Sequence, residues 1–205
     1  MGLYGDQVLP RIIDKLGGVK PVLPLRQRVC EGLSGEVVEI GFGSGHNVPF
    51  YPPSVTRVAA VEPSDVGWKL ADKRLHASGI HIERSGLDGQ SLPFPDDSFD
   101  AALSTWTLCT IPDVKAALAE VRRVLKPGGT FHFLEHGLAP DENVRTWQHR
   151  LEPLQKRVCG GCHLTRRIEE LLTDSGFSIT KVDVFYEQGA PKIFGADSLG
   201  TAVAA

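Results

Sequence analysis

Short apolar segments alternate with helical segments through most of this chain. From residue 36 onward, five runs rich in β-branched or aromatic residues are typical of strands: "EVVEIG", "RVAAVE", "IHIERS", "FDAALS" and "TFHFLEH". Several of these runs are apolar almost throughout, which indicates strands buried on both faces of a parallel sheet. Because parallel strands require crossover connections, the alternation predicts an α/β fold with helices on both faces of a mostly parallel sheet.

The remaining segments complete this prediction. A helix is expected over 113–129, ending at Pro-Gly-Gly, and two more over about 143–158 and 164–175. Two closing strands, "FSITKVDVFY" and "SLGTAVA", follow. We therefore expect a single domain over the 205 residues, with a helical N-terminal cover (1–35) and a Rossmann-like core (36–205).

Composition limits the classes of function. A hydrophobic content of 41% and a net charge of −3 are ordinary for a soluble globular protein and lack the basic surface of a nucleic-acid-binding protein. The N-terminus, "MGLYGDQVLPRIIDKLGG", interrupts its apolar positions with charges, unlike a signal peptide or an anchor. Four scattered cysteines do not form a disulfide framework. We expect a cytoplasmic monomer or homodimer without a transmembrane segment.

A glycine-rich turn follows the first predicted strand. In "VVEIGFGSGHN", the strand runs into Gly41, Gly43 and Gly45, which let a ligand approach the backbone closely. Glu62 ends the next strand about 20 residues later, where an acid accepts hydrogen bonds from ribose hydroxyls. A dinucleotide fingerprint requires a third glycine where His46 stands. The turn therefore indicates a Rossmann-like site without a close pyrophosphate cradle.

A third element extends this candidate site. Asp88 precedes a Leu-Pro-Phe turn in "GLDGQSLPFPDDSFDAALS", where its carboxylate would reach an adenine amino group. Taken alone, Asp88 is more often a turn-capping residue. Together with Glu39 before the glycines and Glu62 after them, it predicts a nucleoside site at the carboxyl ends of three strands.

The order of these motifs resembles a known family. "VVEIGFGSG", "VAAVEPS", "DGQSLPFPDDSFDAALS" and "EVRRVLKPGGTFHFLEH" are similar to successive motifs of class I S-adenosylmethionine-dependent methyltransferases, over about residues 36–185. The resemblance implies a seven-stranded sheet with an antiparallel last strand, and S-adenosylmethionine as cofactor. It places the glycine turn under the methionine part, Glu62 on the ribose and Asp88 on the adenine. The residues expected to bind the cofactor are Glu39, Gly41, Phe42, Gly43, Ser44, Gly45, Asn47, Glu62, Pro63, Asp88, Gly89 and Ser104.

A narrower resemblance concerns the methyl acceptor. "TLCTIPD", "FLEHG", "WQHRLEP" and "GCHLTR" are similar to segments of the alkyl-thiol S-methyltransferases of the methyltransferase-like group. This implies an enzyme that methylates a small molecule, with a thiol or sulfide as the leading acceptor. Two alternatives remain open: methylation of oxygen, nitrogen or carbon on a quinone, phenol or heterocycle, and a cofactor-binding module that transfers no methyl group.

The candidate catalytic residues end the fifth predicted strand. His136 would act as a general base, with Glu135 orienting it or binding substrate. The competing interpretation, a strand-end histidine that hydrogen-bonds a loop, is equally open. For Trp106 and Trp147 the alternative to a pocket wall is core packing, and Cys109 fits a small buried residue as well. The residues expected near the acceptor are Thr105, Trp106, Cys109, Trp147, Cys162 and His163.

The segment "RVCGGCHLTR" raises a separate question, because Cys159 and Cys162 are spaced as in redox and metal sites. The pair follows a long helix and lacks a second ligand pair, so we favour neither chemistry and expect no metal. A zinc site of Cys159, Cys162, His163 and a distant ligand such as Cys30 is the minority alternative. We expect a glycine C-cap instead, followed by a helix that Thr165 caps or that starts near His163. Cys162 and His163 would then point toward the acceptor.

The helix predicted over 143–158 carries an apolar stripe beside many basic residues. From 145 to 167 there are six Lys or Arg and one acid, Glu152. A core-facing helix with a solvated basic face is the usual explanation, and a peripheral membrane contact is the rarer one. The stripe itself consists of Val144, Trp147, Leu151, Leu154 and Val158.

Overall fold

The computed structural model describes residues 2–204 and contains a seven-stranded sheet in the order β3-β2-β1-β4-β5-β7-β6. Strands β1 to β5 pair in parallel, whereas β7 lies antiparallel between β5 and β6. The α/β architecture and the inserted antiparallel last strand are therefore confirmed. The strands are β1 (Gly35–Ile40), β2 (Val55–Val61), β3 (His81–Gly86), β4 (Phe99–Thr105), β5 (Leu125–His136), β6 (Phe177–Tyr186) and β7 (Ala196–Ala204).

Helices precede the sheet and connect its strands. A π-helical turn, Tyr4–Val8, leads into α1, and short 3-10 turns occupy Lys20–Val22 and Val48–Phe50. Helical elements occupy much of the segment predicted as a cover (1–35) up to Cys30, and Gly35 already begins β1. Its first residue, Met1, lies outside the described residues. The α-helices are α1 (Leu9–Gly17), α2 (Leu23–Cys30), α3 (Asp65–Leu70), α4 (Asp72–Ala77), α5 (Val114–Val124), α6 (Glu142–Val158) and α7 (Ile168–Asp174).

Apolar side chains fill both faces of the sheet. Successive residues of β1 point to opposite faces, so Val38 belongs to one buried cluster and Val37 to the other. Leu118 of α5 packs in the first cluster, and Val29 of α2 packs in the second. Burial on both faces explains why the strand segments are apolar almost throughout.

Helix α5 is shorter than the sequence suggested. Asp113 caps it by accepting a hydrogen bond from the Ala116 N–H at 3.0 Å. The helix ends at Val124, and β5 already begins at Leu125, so the prediction of a helix to residue 129 was wrong. Pro127 disfavours a helical conformation in the residue before it, which explains the early change to extended backbone.

The segment between α6 and α7 also differs from expectation. Gly160 and Gly161 have positive φ, and the Gly161 N–H donates to the Lys156 carbonyl at 2.9 Å, which confirms the glycine C-cap. Helix α7, however, begins at Ile168 and is not capped by Thr165. The Thr165 backbone N–H and hydroxyl both donate to Glu152, at 2.9 and 2.5 Å, and this holds the segment out of a helix.

The apolar stripe of α6 is not a core-facing surface. The side chains of Trp147 and Leu154 are 51% and 59% exposed, so the core-facing interpretation was wrong for them. The helix docks instead through Gln148, which is buried and donates to the Gly137 carbonyl at 3.1 Å. Among residues 2–204, no helix is long and apolar enough to cross a bilayer.

Candidate active site

The glycine turn after β1 opens toward the carboxyl edge of the sheet. Gly41, Gly43 and Gly45 all have positive φ, between 59° and 74°, a region that favours glycine. A Cβ at Gly41 would overlap the Thr107 side chain. A Cβ at Gly43 would meet only the Gly41 carbonyl oxygen, at 3.9 Å, so the turn faces open space at this position. That space is where a ligand would lie against the backbone.

Glu62 borders the same space from the end of β2. Its two carboxylate oxygens accept hydrogen bonds from the Gly43 N–H at 2.6 Å and the Ser64 N–H at 2.7 Å. Burial raises the pKa of Glu62, and these two hydrogen bonds partly offset that effect. Each oxygen of an ionised carboxylate has a second acceptor position, so Glu62 can also accept from ribose hydroxyls. Pro63, which follows it, is exposed.

Asp88 lies in the exposed turn after β3. Its Oδ1 accepts hydrogen bonds from the backbone N–H and the side-chain amide of Gln90, at 2.9 and 3.0 Å, and these bonds lower its pKa. The turn-capping interpretation is therefore confirmed, and an adenine-binding role stays a prediction. A Cβ at Gly89 would lie 2.9 Å from Ile40, so glycine lets this turn approach the end of β1.

A buried polar network supports the glycine turn from behind. The Glu39 carboxylate accepts hydrogen bonds from the Asn47 amide at 2.8 Å and from the Tyr51 hydroxyl. Burial raises the pKa of Glu39 to about 7, against the opposing effect of these bonds. The Asn47 side-chain amide also donates to the Thr105 hydroxyl at 3.0 Å, and Arg26 donates to the Asn47 side-chain oxygen Oδ1 at 2.8 Å. These contacts fix the shape of the turn relative to β1 and β4.

The N-terminal helices cover one side of the turn. His46 Nε2 lies 2.8 Å from the Asp14 carbonyl oxygen, and its ring packs against Gly17 and Gly18. Arg74 donates to the Ser44 carbonyl at 2.9 Å and pairs with the Asp14 carboxylate at 3.3 Å. The residue that replaces the third glycine of a dinucleotide fingerprint, His46, is thus the anchor of α1.

Glu135 is fully buried and organises the turn after β4. Its oxygens accept hydrogen bonds from the Ser104 hydroxyl at 2.6 Å, the Thr107 N–H at 2.8 Å and the Leu108 N–H at 2.9 Å. Burial raises its pKa to about 7. The structure therefore directs the Ser104 hydroxyl to Glu135 rather than to the cofactor side, and Glu135 holds the turn that carries Trp106 rather than the His136 ring.

The carboxylate that contacts His136 belongs to Asp197. Antiparallel pairing places His136, at the end of β5, opposite Asp197 on β7, with Nδ1 2.7 Å from Oδ1. Asp197 Oδ1 also accepts a hydrogen bond from the Trp106 indole at 3.3 Å. Burial lowers the pKa of His136, but the contact with the Asp197 carboxylate outweighs burial and raises the pKa above its ordinary value. The contact is a close ion pair, because among the described residues Nδ1 has no hydrogen-bond partner in regular geometry.

Trp106 forms a wall beside this pair. It has a positive φ of 50°, an uncommon conformation for a bulky residue. Its ring centroid lies 6.0 Å from that of His136, and the Arg26 guanidinium lies 4.8 Å from the ring centroid. The structure thus brings together Trp106 and His136, as the sequence predicted.

Two buried thiols complete this region. The Cys109 thiol donates a hydrogen bond to the Trp106 carbonyl at 3.7 Å. The interaction with neighbouring Cys109 lowers the pKa of the Cys162 thiol, and His136 lowers it further despite the opposing effect of burial. The His163 N–H donates to the Cys109 carbonyl at 2.8 Å, which holds the segment after α6 against the turn after β4. All four cysteines are free, so Cys159 and Cys162 form no disulfide.

Two residues predicted to lie near the methyl acceptor, Trp147 and His163, make their contacts away from His136. Trp147 lies on the outer face of α6, with the Arg150 guanidinium 5.3 Å from its ring centroid. The His163 imidazole lies 3.4 Å from a Glu152 oxygen. Within residues 2–204, no cluster of three or more His, Cys, Asp or Glu side chains is arranged to hold a metal ion.

Sequence reasoning missed three residues of the site. Asp197 carries no motif and reaches His136 only through strand pairing. Arg26 is one of several basic residues in the N-terminal cover, yet it is buried and contacts both Asn47 and Trp106. Arg166 donates to the carbonyls of Leu108 and Ile111. Arg26 and Asp197 are buried and Arg166 is half-buried, and none of the three lies in a recognisable motif.

The sequence is similar to a methyltransferase domain family and to individual thiol S-methyltransferases. The methyltransferase domain family matches residues 38–133. Thiol S-methyltransferase TMT1B from Homo sapiens is 36% identical over 178 residues, covering 82% of this chain and 71% of that protein. The Rattus norvegicus protein of the same name is 34% identical over 180 residues, covering 84% of this chain and 73% of that protein.

A solved structure shares the fold. A SAM-dependent methyltransferase from Thermotoga maritima superposes with a TM-score of 0.68 at 21% identity, covering 98% of this chain and all of that one. The open glycine turn beside Glu62 fits the nucleoside and methionine parts of S-adenosylmethionine. The chain is an S-adenosylmethionine-dependent methyltransferase and belongs to the family that includes the thiol S-methyltransferases.

Proposed function

We propose that this enzyme methylates the sulfur of a small thiol. The observation that carries the proposal is the extent of the similarity to the thiol S-methyltransferases, about 180 residues. The methyltransferase-domain match spans only 38–133, so this similarity must include segments beyond the cofactor half of the chain. An alignment that covers 84% of this chain must include the segment that carries Cys162, which we propose as part of the acceptor side of the site.

The cofactor supplies an electrophilic methyl group on a sulfonium centre. We propose that the open glycine turn, with Phe42, Ser44 and Pro63 around it, holds the methionine end. Glu62 would accept from the ribose hydroxyls, and Asp88 with Gly89 would contact the adenine. The support is geometric: Gly43 faces open space and donates to Glu62, and the segments that carry Gly43, Glu62 and Asp88 follow the adjacent parallel strands β1, β2 and β3.

We propose that His136 accepts the thiol proton through Nε2. Asp197 holds Nδ1 at 2.7 Å, which fixes the ring and leaves the other nitrogen free to act as a base. The proton then remains on His136, and the thiolate carries out the in-line displacement. Trp106, held by Asp197 and Arg26, excludes water beside the reacting atoms.

Methyl transfer to an acceptor panel tests this proposal. The panel holds short alkyl and aryl thiols, hydrogen sulfide, matched phenols and amines, each with labelled S-adenosylmethionine at two pH values. We expect label in the thiols at rates well above those of the phenols. Label in phenols or amines alone would replace the thiol assignment, and bound cofactor without transfer to any acceptor would favour a non-catalytic binding protein.

Loss of the Glu62 carboxylate should weaken cofactor binding. The Glu62→Ala variant should lose about 1–3 kcal/mol of binding free energy, because the ribose hydroxyls lose their acceptor. Titration calorimetry with S-adenosylhomocysteine measures this change. Asp65→Ala, an exposed carboxylate three residues further on that pairs with Arg84, is the matched control and should bind normally. Equal affinities of the two variants would remove Glu62 from the ribose site.

We also propose a cytoplasmic location. The four free cysteines support it, since thiols persist in reducing compartments.

A further inference from the structure

Arg26 is a buried cation whose close contacts are with neutral groups. It belongs to α2, and only 6% of its surface is exposed. Its Nε donates to the Gly17 carbonyl at 3.0 Å, and its Nη1 donates to the Asn47 side-chain oxygen at 2.8 Å and lies 3.5 Å from the Thr105 hydroxyl oxygen. The guanidinium also lies 4.8 Å from the centroid of the Trp106 ring. Within residues 2–204, Nη2 has no hydrogen-bond partner and no Asp or Glu forms an ion pair with this side chain.

The positive charge of Arg26 is only partly balanced. A buried charge normally has a charged partner, because it has lost its hydration. Burial lowers the pKa of Arg26 to about 10, so the side chain remains charged at neutral pH. Glu39 opposes this shift, but it contacts Arg26 only through the Asn47 side chain, and burial raises the pKa of Glu39 itself to about 7. Arg74 adds a second positive charge nearby, and its own ion-pair partner is Asp14.

Arg26 contacts the turn that we propose for the methionine end of the cofactor. Asn47, which accepts the hydrogen bond from Nη1, lies two residues after Gly45. Gly43 of the same turn faces open space and donates to Glu62, the proposed ribose acceptor. The methionine part of S-adenosylmethionine ends in a carboxylate. A guanidinium binds a carboxylate better than any other side chain does, because its N–H groups form charge-assisted hydrogen bonds in matching geometry.

We propose that Arg26 binds the carboxylate of the methionine part of S-adenosylmethionine through Nη2. The bound carboxylate would supply the negative charge that the surroundings of Arg26 lack. The same guanidinium packs on Trp106, whose ring faces His136, so the cofactor and the wall of the acceptor site would share one cation. This inference rests on the proposed position of the methionine end, and it does not depend on which acceptor is methylated.

Titration calorimetry with two ligands tests this assignment. S-adenosylhomocysteine carries the carboxylate, whereas decarboxylated S-adenosylhomocysteine keeps the adenosine, the sulfur and the amine without it. We expect the unaltered protein to bind the decarboxylated ligand about 10- to 100-fold more weakly, as for the loss of hydrogen bonds between charged groups. Arg26→Met should weaken binding of S-adenosylhomocysteine by a similar factor, and should change the affinity for the decarboxylated ligand by less than about threefold. Arg26→Lys keeps the charge and should lose less.

The matched control is Arg28→Met. Arg28 lies on the same helix but is exposed and pairs with Asp183 at 2.7 Å, so this variant should bind both ligands as the unaltered protein does. Equal weakening of both ligands by Arg26→Met would indicate a purely structural role and overturn the proposal. Equal affinities of the unaltered protein for the two ligands would also overturn it, and that measurement requires no variant to fold.

Two further outcomes separate this proposal from its neighbours. Glu62→Ala should weaken both ligands by the same factor, because both carry the ribose. That result together with equal affinities of the unaltered protein for the two ligands would uphold the ribose site and reject the carboxylate site. If Arg26→Met binds S-adenosylhomocysteine normally but raises KM for a thiol that carries a carboxylate, Arg26 serves the acceptor instead, and the assignment to the cofactor is wrong.

Discussion

Replacing His136 with Gln is expected to lower kcat/KM for a thiol acceptor about 100-fold at pH 7, and by much less above pH 9. At neutral pH most of the thiol is protonated and needs a base. Above its own pKa of about 8.5, the thiol ionises without help. Initial rates of methyl transfer from labelled S-adenosylmethionine, measured from pH 6 to pH 10, give both values. A loss of the same size at every pH would contradict proton acceptance by His136.

The unaltered enzyme and a second variant sharpen this test. Burial lowers the pKa of His136, but the Asp197 contact outweighs it, so the pKa is raised above 6.5. The rate should therefore increase with pH through a midpoint above 6.5. Asp197→Asn removes the negative charge and should move this midpoint to lower pH. His76→Gln, which changes an exposed histidine on α4, should leave the profile unchanged.

Glu135→Ala is expected to lower the free energy of unfolding by about 3 kcal/mol, because it leaves two buried N–H groups and a hydroxyl without their acceptor. Urea unfolding measures this loss. Glu135→Gln is the matched control: its carbonyl can accept from Thr107 and Leu108, and its amide can donate to Ser104. A small effect of alanine would show that the turn after β4 does not depend on these bonds.

The difference in the free energy of unfolding between Glu135→Gln and the unaltered protein should depend on pH. The pKa of Glu135 is raised from 4.5 to about 7 by burial, so the folded protein binds an extra proton between these values. Stability from this group is complete below pH 4.5 and is lost as the pH rises through 7. Relative to the unaltered protein, Glu135→Gln should therefore gain roughly 2–3 kcal/mol between pH 4.5 and 7. A constant difference across this range would contradict a buried carboxyl with a raised pKa.

Much of the fold was predictable because its signals are local. Continuous apolar runs mark strands buried on both faces, and the glycines after β1 mark a turn that only glycine adopts easily. The end of α5 was less predictable, since "EVRRVLKPGG" has a helical pattern up to its proline. Pairing of Leu125 with Phe99 of β4 favours the extended conformation, and such a contact depends on the assembled sheet.

The residues of the candidate site also fall into those that local sequence signals predict and those that depend on the assembled sheet. Glu62 follows its strand directly, so its position beside Gly43 could be predicted from spacing alone. The partner of His136 could not, because Asp197 lies 61 residues further on and reaches it through the register of two antiparallel strands. The stripe on α6 was ambiguous for a related reason: periodicity shows that a helix has an apolar face, but not which way that face points.

The position of β7 has a consequence for biosynthesis. This strand follows β6 in the chain but lies between β5 and β6 in the sheet. During translation, β6 therefore emerges from the ribosome with no neighbour to pair with until β7 has also been made. Asp197, the ion-pair partner of His136, arrives on that strand. On the mechanism proposed above, a nascent chain that ends before β7 would therefore lack the carboxylate that orients its base, and catalytic competence would be acquired only at the end of synthesis.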